Sequence, residues 1–151
     1  MKKKISIVLF LIIFLLVGCT SSKQEGSKFY LSNRYYNKGE YIDITKKQLK
    51  RLKHKNYILF TYNNYCTMAT PCENVFKEFM NKYKIDIVSI PYEEFKDTEF
   101  SKTVKYAPSV IIVKNGEIIS YLDAESDEDL PKYQNEEEFE NWIKKYVYVK
   151  K

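Results

Sequence analysis

The chain has 151 residues and a formal net charge of +5, with fourteen Tyr, nine Phe and only four Gly and four Pro. This length allows one domain, and the composition is that of a globular protein rather than a disordered or fibrous one. Removal of a leader that carries three lysines would lower the charge from +5 to +2, a balance that gives no support to nucleic-acid binding.

The first residues have the pattern of a leader for export. Three lysines precede an apolar stretch of about thirteen residues, 5–17, interrupted only by Ser6. This length suits a signal peptide and falls short of the roughly 20 residues that a membrane-spanning helix needs. The stretch ends in Leu16-Val17-Gly18-Cys19, which resembles the lipobox of bacterial lipoproteins. The resemblance implies a diacylglycerol on Cys19, and the alternative is a plain secretory leader or a membrane anchor with an incidental cysteine.

These observations divide the chain into three parts. We predict a lipoprotein signal peptide over 1–18, a lipidated polar tether over 19–27 and a single domain over 28–151. The lipid would hold the domain at the extracytoplasmic face of the bacterial cell membrane, where disulfides persist. Two thiols then remain, Cys66 and Cys72, and an even pair in an exported protein indicates a disulfide.

The first part of the domain predicts two strands around a short helix. Residues 28–36 alternate imperfectly, as in an edge strand or an irregular lead-in, and 37–44 predict a turn followed by a brief strand. Thr45 is a good N-cap for a helix that ends near Lys55 and exposes its lysines. The apolar run 57–62 predicts a strand at the centre of a sheet.

The next helix is predicted to start at Pro71. Thr70 and Glu73 have capping-box spacing, and Pro71 falls at the first helical position, where its missing N–H costs nothing. Apolar residues then recur at intervals of three and four, which predicts a buried face formed by Val75, Phe76, Phe79, Met80 and Tyr83. Residues 85–90 predict a second sheet strand that Pro91 stops, and 93–104 predict a helix.

The last elements are a hairpin and a helix. Strands over 109–114 and 117–122 flank Asn115-Gly116, the strongest two-residue hairpin signal in the chain. An acidic loop, 123–129, leads to a helix around 136–146, whose predicted inner face is Phe139, Trp142, Ile143 and Tyr146. The order of elements predicts an α/β fold, with a mixed four- to five-stranded sheet and helices on both faces.

Three features stand together in this pattern. They are Tyr65-Cys66 after a buried strand, Pro71-Cys72 at the start of the next helix, and Tyr106-Ala107-Pro108-Ser109 before the hairpin. In this order they resemble the thioredoxin superfamily over roughly residues 45–145. The family places its first active-site cysteine, the Pro-Cys end of its motif and a cis-proline at these positions. The resemblance implies a thioredoxin-like fold with Cys66, Cys72 and Pro108 at the active site and a cis peptide before Pro108.

The chain also departs from the family's pattern. Five residues separate the two cysteines where the family usually has two, and Tyr65 stands where a Trp is usual. The buried acid that many reductases carry on the strand before the motif is missing, because residues 58–62 contain none. These departures leave the expected fold unchanged and weaken the expectation of efficient reductase chemistry.

The cysteine pair admits two interpretations. Attack on a disulfide needs a thiolate, which a helix N-terminus favours. We therefore hypothesise a reversible Cys66–Cys72 bond, in which family analogy makes Cys66 the attacking thiol and Cys72 the resolving one. Helix geometry alone would favour Cys72 as the more acidic thiol, and both assignments stay open. In the second interpretation the bond is a permanent structural disulfide, worth roughly 2–3 kcal/mol by chain entropy.

Other chemistries have little support in the sequence. The single His, His54, lies in a lysine-rich helix without ligand spacing, so we expect neither a metal nor a His-dependent hydrolase. The four glycines are scattered and form no phosphate loop, so no cofactor is expected. The acidic loop 123–129 lacks the alternation and central Gly of a calcium loop, which favours a solvated insertion.

Two functions follow as expectations. The first is a membrane-anchored, extracytoplasmic thiol–disulfide exchange protein, a monomer that acts on exported proteins or peptides bearing thiols or disulfides. The second is a redox-silent binding module with a structural disulfide, which serves a secretion, conjugation or bacteriocin-export system.

Overall fold

The computed structural model describes residues 28–63 and 71–150. The strands of this part are β1 (Tyr41–Asp43), β2 (Tyr57–Tyr62), β3 (Ile87–Pro91), β4 (Ser109–Lys114) and β5 (Glu117–Tyr121). Its α-helices are α1 (Lys46–Lys50), α2 (Cys72–Tyr83), α3 (Tyr92–Phe95), α4 (Leu130–Gln134) and α5 (Glu136–Tyr146). Two short 3-10 helices cover Asn33–Tyr35 and Glu99–Lys102.

The strands form one five-stranded mixed sheet in the order β1-β3-β2-β4-β5. β2 and β1 both pair in parallel with β3, whereas β4 runs antiparallel to β2 and β5 antiparallel to β4. The parallel pair β2–β3 requires a crossover, and α2 lies in it. The predicted α/β fold with a mixed sheet is confirmed.

Helices cover both faces of the sheet, as predicted. Phe60 of β2 packs against Phe76 of α2 with ring centroids 5.3 Å apart. Tyr57, three positions earlier, points to the opposite face because side chains alternate along a strand. It lines a cavity there together with Leu49 of α1 and Phe100. β2 is therefore apolar on both faces, which explains its uninterrupted run of buried residues.

The largest helices, α2 and α5, pack on each other through aromatic rings. Phe139 lies 4.5 Å from Phe76 and 5.4 Å from Phe79, measured between ring centroids. The predicted buried face of α2 is confirmed at Val75, Phe76, Phe79, Met80 and Tyr83. In α5, Phe139, Trp142 and Ile143 are buried as predicted, whereas Tyr146 is only partly buried.

The hairpin between β4 and β5 turns at Asn115-Gly116, as predicted. Asn115 and Gly116 both adopt positive φ, 53° and 81°, the conformation that a two-residue hairpin of this kind requires. A Cβ at Gly116 would also lie 2.0 Å from the Lys53 carbonyl oxygen, so no other residue fits this turn without a shift of the backbone.

Two predicted helices are shorter than expected. The predicted N-cap forms at Thr45, which makes a capping box with Gln48, but α1 ends at Lys50 rather than near Lys55. The residues beyond Leu52 are lysines, a histidine and an asparagine, which have no apolar side chain to bury. The segment 93–104 divides into α3 and the 3-10 helix Glu99–Lys102. There the Ser101 hydroxyl shares its one hydrogen between the Lys96 and Thr98 carbonyls and so competes with helical hydrogen bonds.

Two further boundaries differ from expectation. Pro71 is the N-cap of α2 with extended ψ of 119°, so Cys72 and not Pro71 is the first helical residue. Thr70, whose capping-box partner was predicted to be Glu73, lies outside the described residues. The five-residue helix α4 was not predicted, because its apolar side chains are too few to show a helical period.

A buried carboxylate joins α2 to α5. Glu140 is 9% exposed and accepts hydrogen bonds from Lys82 Nζ at 2.7 Å, from the Tyr83 hydroxyl at 2.6 Å and from Lys144. Burial by itself would raise the pKa of Glu140, but the bonds from Lys144, Lys82 and Tyr83 outweigh it and lower the pKa to about 2. The ionised form therefore stabilises the contact between the helices.

We predict that Glu140→Gln destabilises the protein at neutral pH but much less in acid. A folded-state pKa of about 2 lies below the ordinary value for Glu, about 4.3. The stabilisation is thus complete above that ordinary value and is lost as pH falls toward 2. Urea unfolding of the chain and the variant from pH 7 to pH 2 measures this. A matched change at exposed Glu137 is the control, and a Glu140→Gln effect that does not shrink in acid would contradict the prediction.

Candidate functional site

The sheet brings two distant segments to one edge. β2 ends at Tyr62, and the chain returns as α2 at Cys72, whereas β4 begins at Ser109 directly after Pro108. Thr61 pairs with Ser109 in the antiparallel register. The carboxyl end of β2 and the residues before β4 are therefore neighbours, and we call this side of the sheet the cysteine edge.

Cys72 lies in the first turn of α2 at this edge. Its side chain is buried, with 2% of the residue exposed. Because α2 has twelve residues, its dipole favours negative charge at this end. Burial raises the pKa values of Tyr41 and Tyr133. Both phenols lie close enough to Cys72 that charge on its sulfur raises these pKa values further.

Tyr133 of α4 holds the cysteine edge together from inside. Its buried hydroxyl lies 2.9 Å from the Pro108 carbonyl oxygen and 2.8 Å from that of Leu122, so its one hydrogen is shared between two acceptors. Burial raises the pKa of Tyr133, and a hydrogen bond with Ser109 opposes the rise without reversing it. The phenol is therefore protonated at neutral pH and can donate.

The loop before β4 has the peptide geometry that the resemblance implied. The Ala107–Pro108 bond is cis, and Pro108 is buried. The Asn63 amide nitrogen donates to the Ala107 carbonyl at 3.1 Å, and the Ser109 hydroxyl donates to the Tyr106 carbonyl at 2.8 Å. Asn63 directly follows β2, so the segment that leads toward the cysteines is tied to the proline loop.

Carboxylates and tyrosines surround the cysteine edge. Burial raises the pKa of Tyr62, and the neighbouring carboxylates of Asp43, Glu73 and Glu94 raise it further. The Tyr41 hydroxyl lies 3.4 Å from the Glu73 carbonyl oxygen in the first turn of α2. The rim of the site therefore carries tyrosine rings and carboxylates.

Two of the predicted site residues lie outside the described part of the chain. Cys19 precedes residue 28, and Cys66 falls within 64–70. Their lipidation and disulfide pairing stay predictions. The structure brings Cys72 and Pro108 to one edge through Tyr133, which both of them approach.

The described residues include no group of three or more His, Cys, Asp or Glu side chains placed to hold a metal ion. His54 is exposed in the turn after α1. In the acidic loop, Asp129 accepts a hydrogen bond from the Asp123 backbone at 2.9 Å and pairs with Lys132 at 2.7 Å. No helix in the described ranges is long and apolar enough to cross a bilayer.

Sequence reasoning missed Tyr133 and Asn63. Tyr133 sits in a helix too short to show a pattern, and only the folded chain reveals that its hydroxyl reaches Pro108. Asn63 could have been noticed as a polar residue directly after the central strand, where loops carry function.

Comparison with known proteins shows the class of this fold. Over 76% of this chain and 97% of the other, it is similar to a mutant thioredoxin from Halobacterium salinarum, with a TM-score of 0.52 and 15% identity. It is also similar to thioredoxin from Schistosoma mansoni, with a TM-score of 0.50 and 21% identity over 74% of this chain and 99% of the other. A candidate oxidoreductase with a thioredoxin fold has a TM-score of 0.51 and 14% identity, over 67% of this chain and 91% of the other.

These likenesses show that the chain has a thioredoxin-like α/β fold, as the motifs implied. No family model matches the sequence, and no curated protein matches it either. The identities are low, so the similarity extends to the fold alone.

We predict that Tyr133→Phe destabilises the protein by about 1–3 kcal/mol, because the carbonyls of Pro108 and Leu122 lose their buried donor. Urea unfolding at neutral pH measures the change. Tyr106→Phe is the control, because it removes the same hydroxyl group from a residue of this loop that is 50% exposed. Equal stabilities for Tyr133→Phe and the unchanged chain would contradict the assigned role of the hydroxyl.

Proposed function

We propose that this chain is a membrane-anchored, extracytoplasmic thiol–disulfide exchange protein that acts on exported partners. The observation that carries the proposal is the place of Cys72, in the first turn of α2 and at the same edge as the cis Ala107–Pro108 peptide, in a thioredoxin-like fold. Cys66 precedes Cys72 by six positions, within reach of a disulfide with the helix end.

The burial of Cys72 supports a division of roles between the two thiols. A sulfur in a residue that is 2% exposed cannot reach a disulfide in a bulky partner, but it can attack a sulfur held next to it. We therefore assign Cys66 as the attacking thiol and Cys72 as the resolving one. The burial of Cys72 thus supports the assignment from family analogy over the one from helix geometry.

The exchange is balanced in two steps. The Cys66 thiolate attacks one sulfur of the partner's disulfide, a mixed disulfide forms, and the other partner sulfur leaves as a thiolate that takes up a proton. The Cys72 thiol loses its proton and its sulfur attacks Cys66, which releases the second partner thiol and leaves the Cys66–Cys72 disulfide. The partner gains two electrons and the pair loses two, and the reverse sequence oxidises a partner dithiol.

The proline loop would position the partner beside the sulfurs. Tyr106 is 50% exposed and Ala107 is partly exposed, so this strip of chain is open to an extended segment. Pro108 itself is buried, and Tyr133 engages its carbonyl from inside. We assign Pro108 the role of fixing the loop, and Tyr106 and Ala107 that of contacting the partner.

Anchoring follows from the leader and the cysteine at its end. A diacylglycerol on Cys19 would keep the domain at the outer face of the cell membrane, among proteins that are still acquiring disulfides. Exported proteins and peptides with thiols or disulfides are the partners that this location supplies.

One observation favours a second candidate function, a redox-silent binding module with a permanent disulfide. β2 reads YILFTY and carries no acid that could accept a proton near the cysteines. Such a module would hold a peptide or a component of a secretion, conjugation or bacteriocin-export system at the same proline loop.

Substrate trapping distinguishes the two functions. In a bacterial cell that exports the full chain, we predict that Cys72→Ala accumulates mixed disulfides with exported proteins, because the resolving thiol is gone. Non-reducing electrophoresis detects the adducts, and a reductant must release them. Cys66→Ala and the double variant are the controls and should capture none.

The other outcomes are equally informative. Adducts in Cys66→Ala alone would reverse the assigned roles of the two thiols. If neither single variant captures a partner while both are exported and folded, the exchange function is contradicted and the binding module is supported. Cys72→Ser repeats the test with a side chain of nearly the same volume, since Cys72 lies in the core.

A further inference from the structure

A patch of exposed and partly buried tyrosines lies away from the cysteine edge. We call it the basal patch and define it as Tyr30, Tyr36, Tyr148 and Lys150. Tyr30 is 55% and Tyr148 44% exposed, although their ring centroids are only 4.8 Å apart. The Lys150 ammonium lies 4.5 Å from the centre of the Tyr36 ring and 5.8 Å from that of Tyr30.

Hydrogen bonds hold the basal patch in place. The Tyr36 hydroxyl donates to the Tyr148 carbonyl and accepts from the Leu31 backbone N–H at 3.2 Å. The backbone of Phe29 donates to Tyr146 and accepts from Tyr148, both at 2.9 Å. The two ends of the described domain thus form one preorganised surface rather than loose tails.

The basal patch lies at the end of the sheet opposite the cysteine edge. Asn56, the residue before β2, donates to the Tyr30 carbonyl at 2.9 Å and accepts from the Asn115 N–H of the hairpin at 2.9 Å. The amino end of β2 and the hairpin turn therefore adjoin the patch. Cys72 and Pro108 lie at the other end of β2, whose six residues span about 20 Å.

The basal end and the cysteine edge also differ in their charged residues. Cations gather around the basal end, namely Lys28, Arg34, Lys53, Lys55, Lys114 and Lys150. The described acids at this end include buried Asp86 and exposed Glu40, Glu117 and Glu99, the last of which lines a cavity with Gly116. The Asp86 carboxylate is bound by the backbone N–H groups of residues 38–40 at 2.8 to 3.1 Å. The excess of positive charge fits an anionic surface, whereas the rim of the cysteine edge is acidic.

The chain before residue 28 starts at this same end. Phe29 and Tyr30 follow Lys28 directly, and eight residues separate Lys28 from Cys19. Even fully extended, that stretch spans only about 30 Å, no more than the width of a domain of this size. A lipid on Cys19 would therefore keep the basal patch, rather than the cysteine edge, next to the bilayer.

We propose that the basal patch docks on an anionic lipid surface and so directs the Cys72–Pro108 edge away from the membrane. Tyrosine rings are favoured at the level of the headgroups, and lysines near the surface attract anionic lipids. The inference rests on the lipid anchor of the proposed function. It assigns the domain one orientation, with the exchange site facing exported partners.

Quenching by brominated lipids tests this orientation in the full lipidated chain. Tyr30→Trp and Tyr106→Trp place a reporter at the two ends, at positions that are 55% and 50% exposed. The unchanged chain supplies the background from Trp142, which is 5% exposed. In vesicles of phosphatidylglycerol and phosphatidylcholine, we expect the added emission of Tyr30→Trp to be quenched several-fold more than that of Tyr106→Trp. Adding Lys150→Glu should reduce the quenching.

The outcomes separate docking from anchoring. If both variants float with vesicles but Tyr106→Trp is quenched as strongly as Tyr30→Trp, docking is contradicted and the lipid anchor is not. If the Trp of Tyr30→Trp is protected from a soluble quencher but is not quenched by brominated lipid, protein covers the patch, and docking on lipid is contradicted. The mass of the Cys19 peptide reports the anchor independently. A chain without lipid that does not float contradicts both, and one without lipid whose Tyr30→Trp is still quenched supports docking only.

Discussion

The central position of β2 is the constraint on which the rest of the structure depends. It pairs in parallel with β3 and antiparallel with β4, and helices cover both of its faces, so its residues are buried. The chain must then leave β2 toward α2 and enter β4 at one and the same edge. This topology, and not proximity in sequence, is what brings the buried Cys72 and the cis Ala107–Pro108 peptide together. Tyr133 fixes the arrangement from inside by bonding the Pro108 carbonyl.

The two ends of the sheet are chemically different, and the difference has a functional sense. The cysteine edge combines a helix N-terminus, a fixed proline loop and an acidic rim. The basal end combines exposed tyrosines with an excess of cations and adjoins the end of the predicted tether. A thiol-exchange site needs access to large partners, and a short anchor restricts access on one side. In the proposed arrangement the anchor and the exchange site lie at opposite ends of β2, which would resolve that conflict.

Local chemistry decided which features could be predicted from the sequence. The Asn115-Gly116 turn, the Thr45 cap and the apolar period of α2 depend on neighbouring residues and were correct. The break in 93–104 and the helix α4 depend on tertiary contacts and side-chain competition, which no period reveals. The Tyr133 hydroxyl acts on residues far away in sequence, so that part of the site could not be predicted. The cis peptide was expected only through the family resemblance, and the Cys66 pairing stays a prediction.

A redox titration of the cysteine pair tests the central claim most directly. The full chain is equilibrated in thiol–disulfide buffers of known potential, and alkylation followed by mass spectrometry gives the fraction of Cys66–Cys72 disulfide. We predict a midpoint above about −300 mV, in the range of disulfides that exchange with partners. A midpoint well below that value would mark a structural bond and contradict the exchange function.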